Sequence, residues 1–125
     1  MARKIKAYKN YFVDFYESQE EKVQYKIEYV LDLIRFEQRV PKKFFKALES
    51  TDGIYEVRVI TAFKSIRILC FFDEGNLIML ANCFVKKTQK TPKKEIKLAE
   101  KLKKEYLKNK NGWYEKYNWF WRYTG

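Results

Sequence analysis

The sequence predicts an α+β domain on three observations. A stretch of about 18 residues carries apolar side chains at helical spacing. Three later runs, residues 54–60, 65–72 and 77–84, are dense in β-branched and aromatic residues and read as strands. A lysine-rich segment behind them returns to helical spacing. The expected architecture is N-terminal helices, an antiparallel sheet of about four strands and a C-terminal helix. At 125 residues the chain is one domain long, enough to bury about two-thirds of its unfolded surface without staples. Hydrophobic residues make up 46% of it, so it is globular rather than disordered.

In chain order, Ile5 to Lys9 reads as a short first strand, and the aromatic run Tyr11 to Tyr16 as one or two helical turns. Ser18-Gln19-Glu20-Glu21 fits a capping box, with Ser18 as cap and Glu21 reaching back. Val23, Ile27, Val30 and Ile34 follow at helical spacing and predict a helix from about Gln19 to Phe36. Pro41 opens a second, shorter helical stretch through Phe44, Phe45 and Leu48. Thr51-Asp52-Gly53 and Asp73-Glu74-Gly75-Asn76 are turns that flank the strands. Thr91-Pro92 starts the last helix, with threonine as cap, and Asn111-Gly112 ends it. The tail from 113 crowds Trp113, Tyr114, Tyr117, Trp119, Phe120, Trp121 and Tyr123 together. It either docks on the body or stacks on bases. Docking is favoured, because so much apolar surface rarely stays in water.

Loop lengths set the strand register. A four-residue loop, Thr61 to Lys64, pairs Ile60 with Ser65 and brings Arg58 opposite Arg67. Like charges directly opposite are destabilising. The pair is best tolerated where an anion occupies the gap, and bidentate arginine suits phosphate. The next loop pairs Phe72 with Leu77 and Arg67 with Asn82. One face then carries Tyr55, Val57, Val59, Ile66, Ile68, Cys70, Phe72, Leu77, Met79, Ala81 and Cys83 and packs on the long helix. The other carries a polar row, Arg58–Arg67–Asn82.

The net charge is +11 and unevenly placed: residues 86–110 hold eleven lysines against Glu95, Glu100 and Glu105, a net +8. That balance points to an acidic partner, with nucleic acid ahead of membrane. Cys70 and Cys83, in apolar strand runs, are expected as small core residues of a reducing compartment. The chain opens without a signal peptide, and no apolar run approaches a membrane span, so a cytoplasmic location is expected.

The absences narrow the chemistry. There is no histidine, which removes the ordinary general base and the usual zinc site. Neither cysteine has a partner for nucleophilic catalysis, no Gly-rich phosphate loop is present, and no metal or small-molecule cofactor is expected. What remains is a cationic site in which Arg58, Arg67, Lys86, Lys87 and Lys90 converge where the last strand meets the last helix. Asn82 and Phe84 lie on the same face, and Thr88 and Thr91 add hydroxyls. Two arginines suit the extra charge of a pentacoordinate phosphate, and lysine or tyrosine would move protons. RNA is the natural substrate, because its own 2′-hydroxyl is the nucleophile. This chemistry needs the two guanidiniums open to solvent and not neutralised by a carboxylate of the chain; the alternative is that both arginines pair with Glu56 or with carboxylates on the helices.

Asp52-Gly53-Ile54-Tyr55-Glu56-Val57-Arg58-Val59, then Ile66-Arg67-Ile68, Phe71-Phe72-Asp73-Glu74-Gly75 and the run Phe84-Val85-Lys86-Lys87-Thr88-Gln89-Lys90-Thr91-Pro92-Lys93-Lys94-Glu95-Ile96 resemble the HigB-type branch of the RelE/ParE toxin superfamily. The likeness covers roughly Ile5 to Tyr106. It implies a toxin domain over residues 1–110 followed by the aromatic tail, 111–125. It also implies a toxin of a type II toxin–antitoxin module: a ribosome-dependent, metal-independent mRNA endonuclease (an mRNA interferase) that inhibits translation. The implied partners are a small helix-turn-helix antitoxin, mRNA and the ribosome, with no membrane. On this reading Arg58, Arg67, Lys86, Lys87 and Lys90 are catalytic, and the RNA lies along Asn82, Phe84, Thr88, Thr91, Lys93, Lys94, Lys97 and Tyr106. Several relatives use a histidine or tyrosine near the C-terminus for proton transfer, a place that falls here to Tyr106 or a tail tyrosine. Two other readings stay open: a basic nucleic-acid-binding module without catalysis, and a ParE-like toxin that acts by binding another target.

Overall fold

The computed structural model describes residues 2–117, with side chains through Asn109. The elements run β1 (Lys4–Ala7), α1 (Tyr11–Glu17), α2 (Glu21–Phe36), β2 (Phe45–Ala47), β3 (Tyr55–Ile60), β4 (Ser65–Phe72), β5 (Leu77–Val85) and α3 (Lys93–Tyr117). The five strands form one sheet in the order β1-β5-β4-β3-β2. The α+β class is as expected, but the sheet is mixed, because β1 pairs with β5 in parallel.

The sheet separates two cores. On one face α1 and α2 pack against Val57, Val59, Ile66, Ile68 and Cys70. On the other, Ala99, Leu102 and Tyr106 of α3 pack against Ile54, Leu69 and Phe71. In α2, Val23, Ile27, Val30, Leu31 and Ile34 are all buried, each contributing about 1.5–3 kcal/mol of transfer free energy. Cys70 is buried and Cys83 half-buried, and both are free thiols. No helix among the described residues is long and apolar enough to cross a membrane.

Four local expectations are corrected. Ser18 does not cap α2. It sits in helical backbone as the last residue of α1's final turn, and its hydroxyl donates to Phe15 O at 2.6 Å. The hydroxyl is therefore spent before α2 begins, and α2 starts at Glu21 behind an extended Glu20 with no side-chain cap. At the other end of α2, Arg3 donates from Nη1 to the carbonyls of Ile34 and Glu37, each at 2.8 Å, and satisfies the free end of the helix.

The stretch after Pro41 makes a single turn and then strand β2, not a helix: Phe44 N and Phe45 N donate to Pro41 O. Phe45 stacks on Tyr55 at 5.1 Å between ring centroids and meets Phe72 edge-on. Pairing with the open edge of β3 and this aromatic cluster outweigh the helix-start signal of proline. This is the fifth strand. Likewise, Asn111-Gly112 does not end α3, which continues to Tyr117. A glycine inside a helix costs about 1 kcal/mol but does not force a stop. The tail expectation for residues 118–125, and that for the side chains of 110–117, lies outside what the structure describes.

The fourth correction concerns β5. Phe72 pairs with Ile78, not Leu77, and Arg67 pairs with Phe84, not Asn82. The ladder shifts between Ile68↔Cys83 and Cys70↔Leu80, so Ala81 and Asn82 together oppose Leu69 in a bulge. Beyond the loop the faces are exchanged. Ile78 and Leu80 join the α2 core, while Met79 and Ala81 join the α3 core. The bulge then brings Asn82 to the α3 side as well, so it still shares a face with the arginines.

Candidate functional site

The β3–β4 ladder has the expected register: Ile60 pairs with Ser65, and Arg58 stands opposite Arg67. Strand residues two apart share a face, which puts Glu56 beside Arg58 and diagonal to Arg67. The Glu56 side chain is fully buried. Its Oε1 lies 3.0 Å from Arg58 Nε and 3.4 Å from Arg67 Nε, and its Oε2 accepts a hydrogen bond from the Thr91 hydroxyl. One carboxylate therefore holds β3, β4 and the 86–92 loop together.

This corrects the expectation of an open arginine pair without a carboxylate. Arg67 is only 6% exposed, and its Nη1 donates to Ser65 Oγ at 2.9 Å and to the Ile66 carbonyl at 3.2 Å. Arg58 is more accessible, with its side chain 27% exposed. A single negative charge between two guanidiniums leaves the cluster positive. Burial, together with the like charge of Arg58, pulls Arg67 below its ordinary value, while Glu56 opposes the shift.

Lys86 completes the cluster. Its N–H donates to Ser65 O at 2.7 Å, which ties the end of β5 to the start of β4. Burial, then the charge of Arg67, hold its ammonium below the usual lysine range, against a smaller opposing pull from Glu56. Ser65, Arg67, Lys86, Lys87, Thr88 and Gln89 line an open concavity of about 500 Å³. Thr88 Oγ1 donates to Lys90 O at 2.8 Å. Lys87, Thr88 and Lys90 are exposed, as are Lys93, Lys94 and Lys97 on the first turns of α3. Phe84, opposite Arg67, is half-buried against the α3 core.

Three expected RNA contacts are placed otherwise. Asn82 is 2% exposed, and its Nδ2 donates to Glu95 O at 3.1 Å and Oε1 at 2.9 Å, so it braces α3 against the sheet. Thr91 neither caps α3 nor faces outward, since its hydroxyl is committed to Glu56. Tyr106 is fully buried, with its hydroxyl donating to Asp73 Oδ2 at 2.6 Å and its ring against Tyr8 and Phe71. Thirteen residues along α3 from Lys93, it is about 20 Å from the cationic end of the helix. Ser65 and Gln89 are the residues that sequence reasoning did not assign to the site, while the pairing of Glu56 with both arginines is the alternative that the sequence left open.

Among the described residues no group of three or more histidine, cysteine, aspartate or glutamate side chains could hold a metal ion. The arrangement can bind an oxyanion through Arg67, Lys86 and the 86–90 loop, and Lys86 offers a nitrogen that gives up its proton below the ordinary lysine range.

Residues 14–104 match the family described as "Phage derived protein Gp49-like (DUF891)", which is more than half of the chain. A search of curated proteins finds no match. Among solved structures, the archaeal RelE–RelB complex from Pyrococcus horikoshii OT3 is similar with a TM-score of 0.53 at 18% identity, covering 68% of this chain and 96% of that one. A mutant of the E. coli toxin RelE in the free state gives 0.51 at 14% identity, covering 87% and 98%. At these identities the likeness is one of fold, and the fold is RelE-like.

Proposed function

We propose that this chain, which belongs to the phage-derived Gp49-like family, is the toxin of a type II toxin–antitoxin module of the HigB type and a ribosome-dependent endonuclease of mRNA. The observation that carries the reading is the concavity in which Arg67 and Lys86 stand together beside the exposed Lys87 and Lys90. Its net positive charge survives Glu56, and RNA presents the matching anion. The RelE-like fold supports the same reading, and one similar structure is a RelE–RelB complex. Here the antitoxin is a small helix-turn-helix protein, and the site of action is the cytoplasm.

In this mechanism the scissile phosphate sits against Arg67 and Lys86, with the more exposed Arg58 on the neighbouring strand. The 2′-hydroxyl loses its proton as its oxygen bonds to phosphorus, and the 5′-oxygen leaves with a proton. Charged Lys86 is the group suited to protonate the 5′-oxygen, since it releases its proton below the ordinary lysine range, and the 2′-hydroxyl proton passes to water. The arginines stabilise the added negative charge. Ribosomal groups complete the site, so the purified chain cuts free RNA poorly; rapid cleavage of naked RNA in EDTA would contradict this.

Induced expression tests the reading. The unsubstituted chain arrests growth and cuts mRNA at ribosome-occupied sites. Lys86→Ala and Arg67→Ala, checked for folding, lose both effects, and co-expression of an adjacent helix-turn-helix frame relieves the arrest. A second reading draws on Glu56, which already occupies both arginines: a toxin that binds a target without cleaving RNA. Growth arrest with intact mRNA would select it. Salt-dependent nucleic-acid binding without arrest would instead leave a non-catalytic basic module.

A further inference from the structure

We propose that Phe63, at the tip of the β3–β4 hairpin, is a stacking platform for one RNA base next to the phosphate-binding concavity; the proposal rests on RNA being the substrate of that concavity. Phe63 is 97% exposed, and the neighbouring Ile60 is 51% exposed. A phenyl ring this exposed takes little part in the packing of the core. Its mount is nevertheless rigid. Thr61 N donates to Lys64 O at 2.9 Å, and Thr61 Oγ1 accepts from Phe63 N at 3.4 Å and from Lys64 N at 3.0 Å. Lys64 Nζ donates to Gln19 Oε1 at 2.8 Å, which fastens the tip to the segment between α1 and α2. A backbone fixed in this way has little conformational freedom left to lose when a partner covers the ring.

The position decides what the partner is. Ser65, two residues after Phe63, lines the concavity with Arg67 and Lys86. Two residues along a chain span at most about 7 Å, so one nucleotide can place its phosphate in the concavity and reach the ring with a base. The exposed cations nearby, Lys87 and Lys90, suit a polyanion. Two apolar side chains are too small a patch for a protein docking site, where interfaces bury about 800 Å² on each partner. Base stacking on an aromatic ring is worth roughly tenfold in affinity per base and is tolerant of sequence.

The test measures binding of a short single-stranded RNA at low salt, by fluorescence anisotropy, with folding checked by circular dichroism. Phe63→Ser lowers affinity about tenfold and leaves the salt dependence unchanged, because no phosphate contact is lost. Lys86→Ala instead reduces the salt slope by about one. Phe63→Trp keeps the affinity, and its fluorescence is quenched by the RNA but not by inorganic polyphosphate. Equal affinity for Phe63→Ser and the unsubstituted chain overturns the proposal, as does equal quenching by polyphosphate. Failure of the unsubstituted chain to bind RNA at all overturns the proposal, while the reading beneath it falls only if induced expression also leaves mRNA intact.

Discussion

Glu56 and Arg67 hold their charges 3.4 Å apart across diagonal positions of the β3–β4 ladder, and the same Glu56 oxygen lies 3.0 Å from Arg58. The carboxylate is what allows two arginines to stand opposite each other in a sheet without an anion from outside. Removing its charge strands two guanidiniums, one of them buried. Breaking a buried pair by removing one partner costs about 3–5 kcal/mol, and the partial exposure of Arg58 moves the expectation to the lower end. Glu56→Gln is therefore expected to lose about 3 kcal/mol in urea denaturation while binding RNA more tightly at low salt. A variant as stable as the unsubstituted chain would show that the arginines do not depend on Glu56.

Lys86 gives a prediction in pH. Burial and the charge of Arg67 depress its folded value below the ordinary lysine value of 10.5. Between the folded value and 10.5 the unfolded chain holds the extra proton, so the stability contributed by this group rises with pH across that interval. Anion binding needs the charged form and runs the other way. RNA affinity is expected to fall as pH rises through the folded value. Lys86→Arg, which stays protonated, abolishes that alkaline decline. Anisotropy titrations at fixed ionic strength check it, and an identical decline in Lys86→Arg assigns the effect to another group.

How far the site was legible follows from which signals are local. The arginine register was readable because a four-residue loop fixes it, and antiparallel pairing of Ile60 with Ser65 carries Arg58 to Arg67. The β5 register was not. Leu77-Ile78-Met79-Leu80-Ala81 is apolar at every position, so alternation does not say which side faces which helix, and the bulge at Ala81–Asn82 leaves no mark in composition. β2 was misread because its stability comes from the β3 edge and the rings of Tyr55 and Phe72, none of which is near in sequence. The pairing of Glu56 with both arginines was legible as one alternative, since a strand carboxylate two residues from one arginine is diagonal to the other.

On the acid side the informative group is Glu105. Hydrogen bonds from Lys9 and Tyr8 lower its folded value below 4.5, with Tyr8 Oη donating at 2.7 Å. For a carboxylate depressed in this way the stabilisation is fully present above the unfolded value and is lost as pH falls through the folded one. Thermal melts from about pH 6 to pH 3 should show a shallower loss of stability in Glu105→Gln than in the unsubstituted chain. Parallel curves would mean that the contact between β1's end and α3 contributes nothing that titrates.

Tyr106 separates structure from chemistry most cleanly. It was one candidate, beside the tail tyrosines, for proton transfer in a chain without histidine, yet its ring is buried against Tyr8 and Phe71 and its hydroxyl donates to Asp73 at the start of the β4–β5 turn. Replacing the hydroxyl in Tyr106→Phe removes one hydrogen bond to a charged acceptor and keeps the packing. The expected loss is about 1.5–3 kcal/mol of stability, with the RelE-like fold retained. A general acid or base contributes roughly 10²–10⁴-fold in rate. If Tyr106 served as one, mRNA cleavage by the folded variant would fall by at least that lower factor. We expect cleavage per folded molecule to stay within a few-fold of the unsubstituted chain, because a side chain about 20 Å along α3 from the lysine-rich corner has no path to a phosphate held by Arg67 and Lys86.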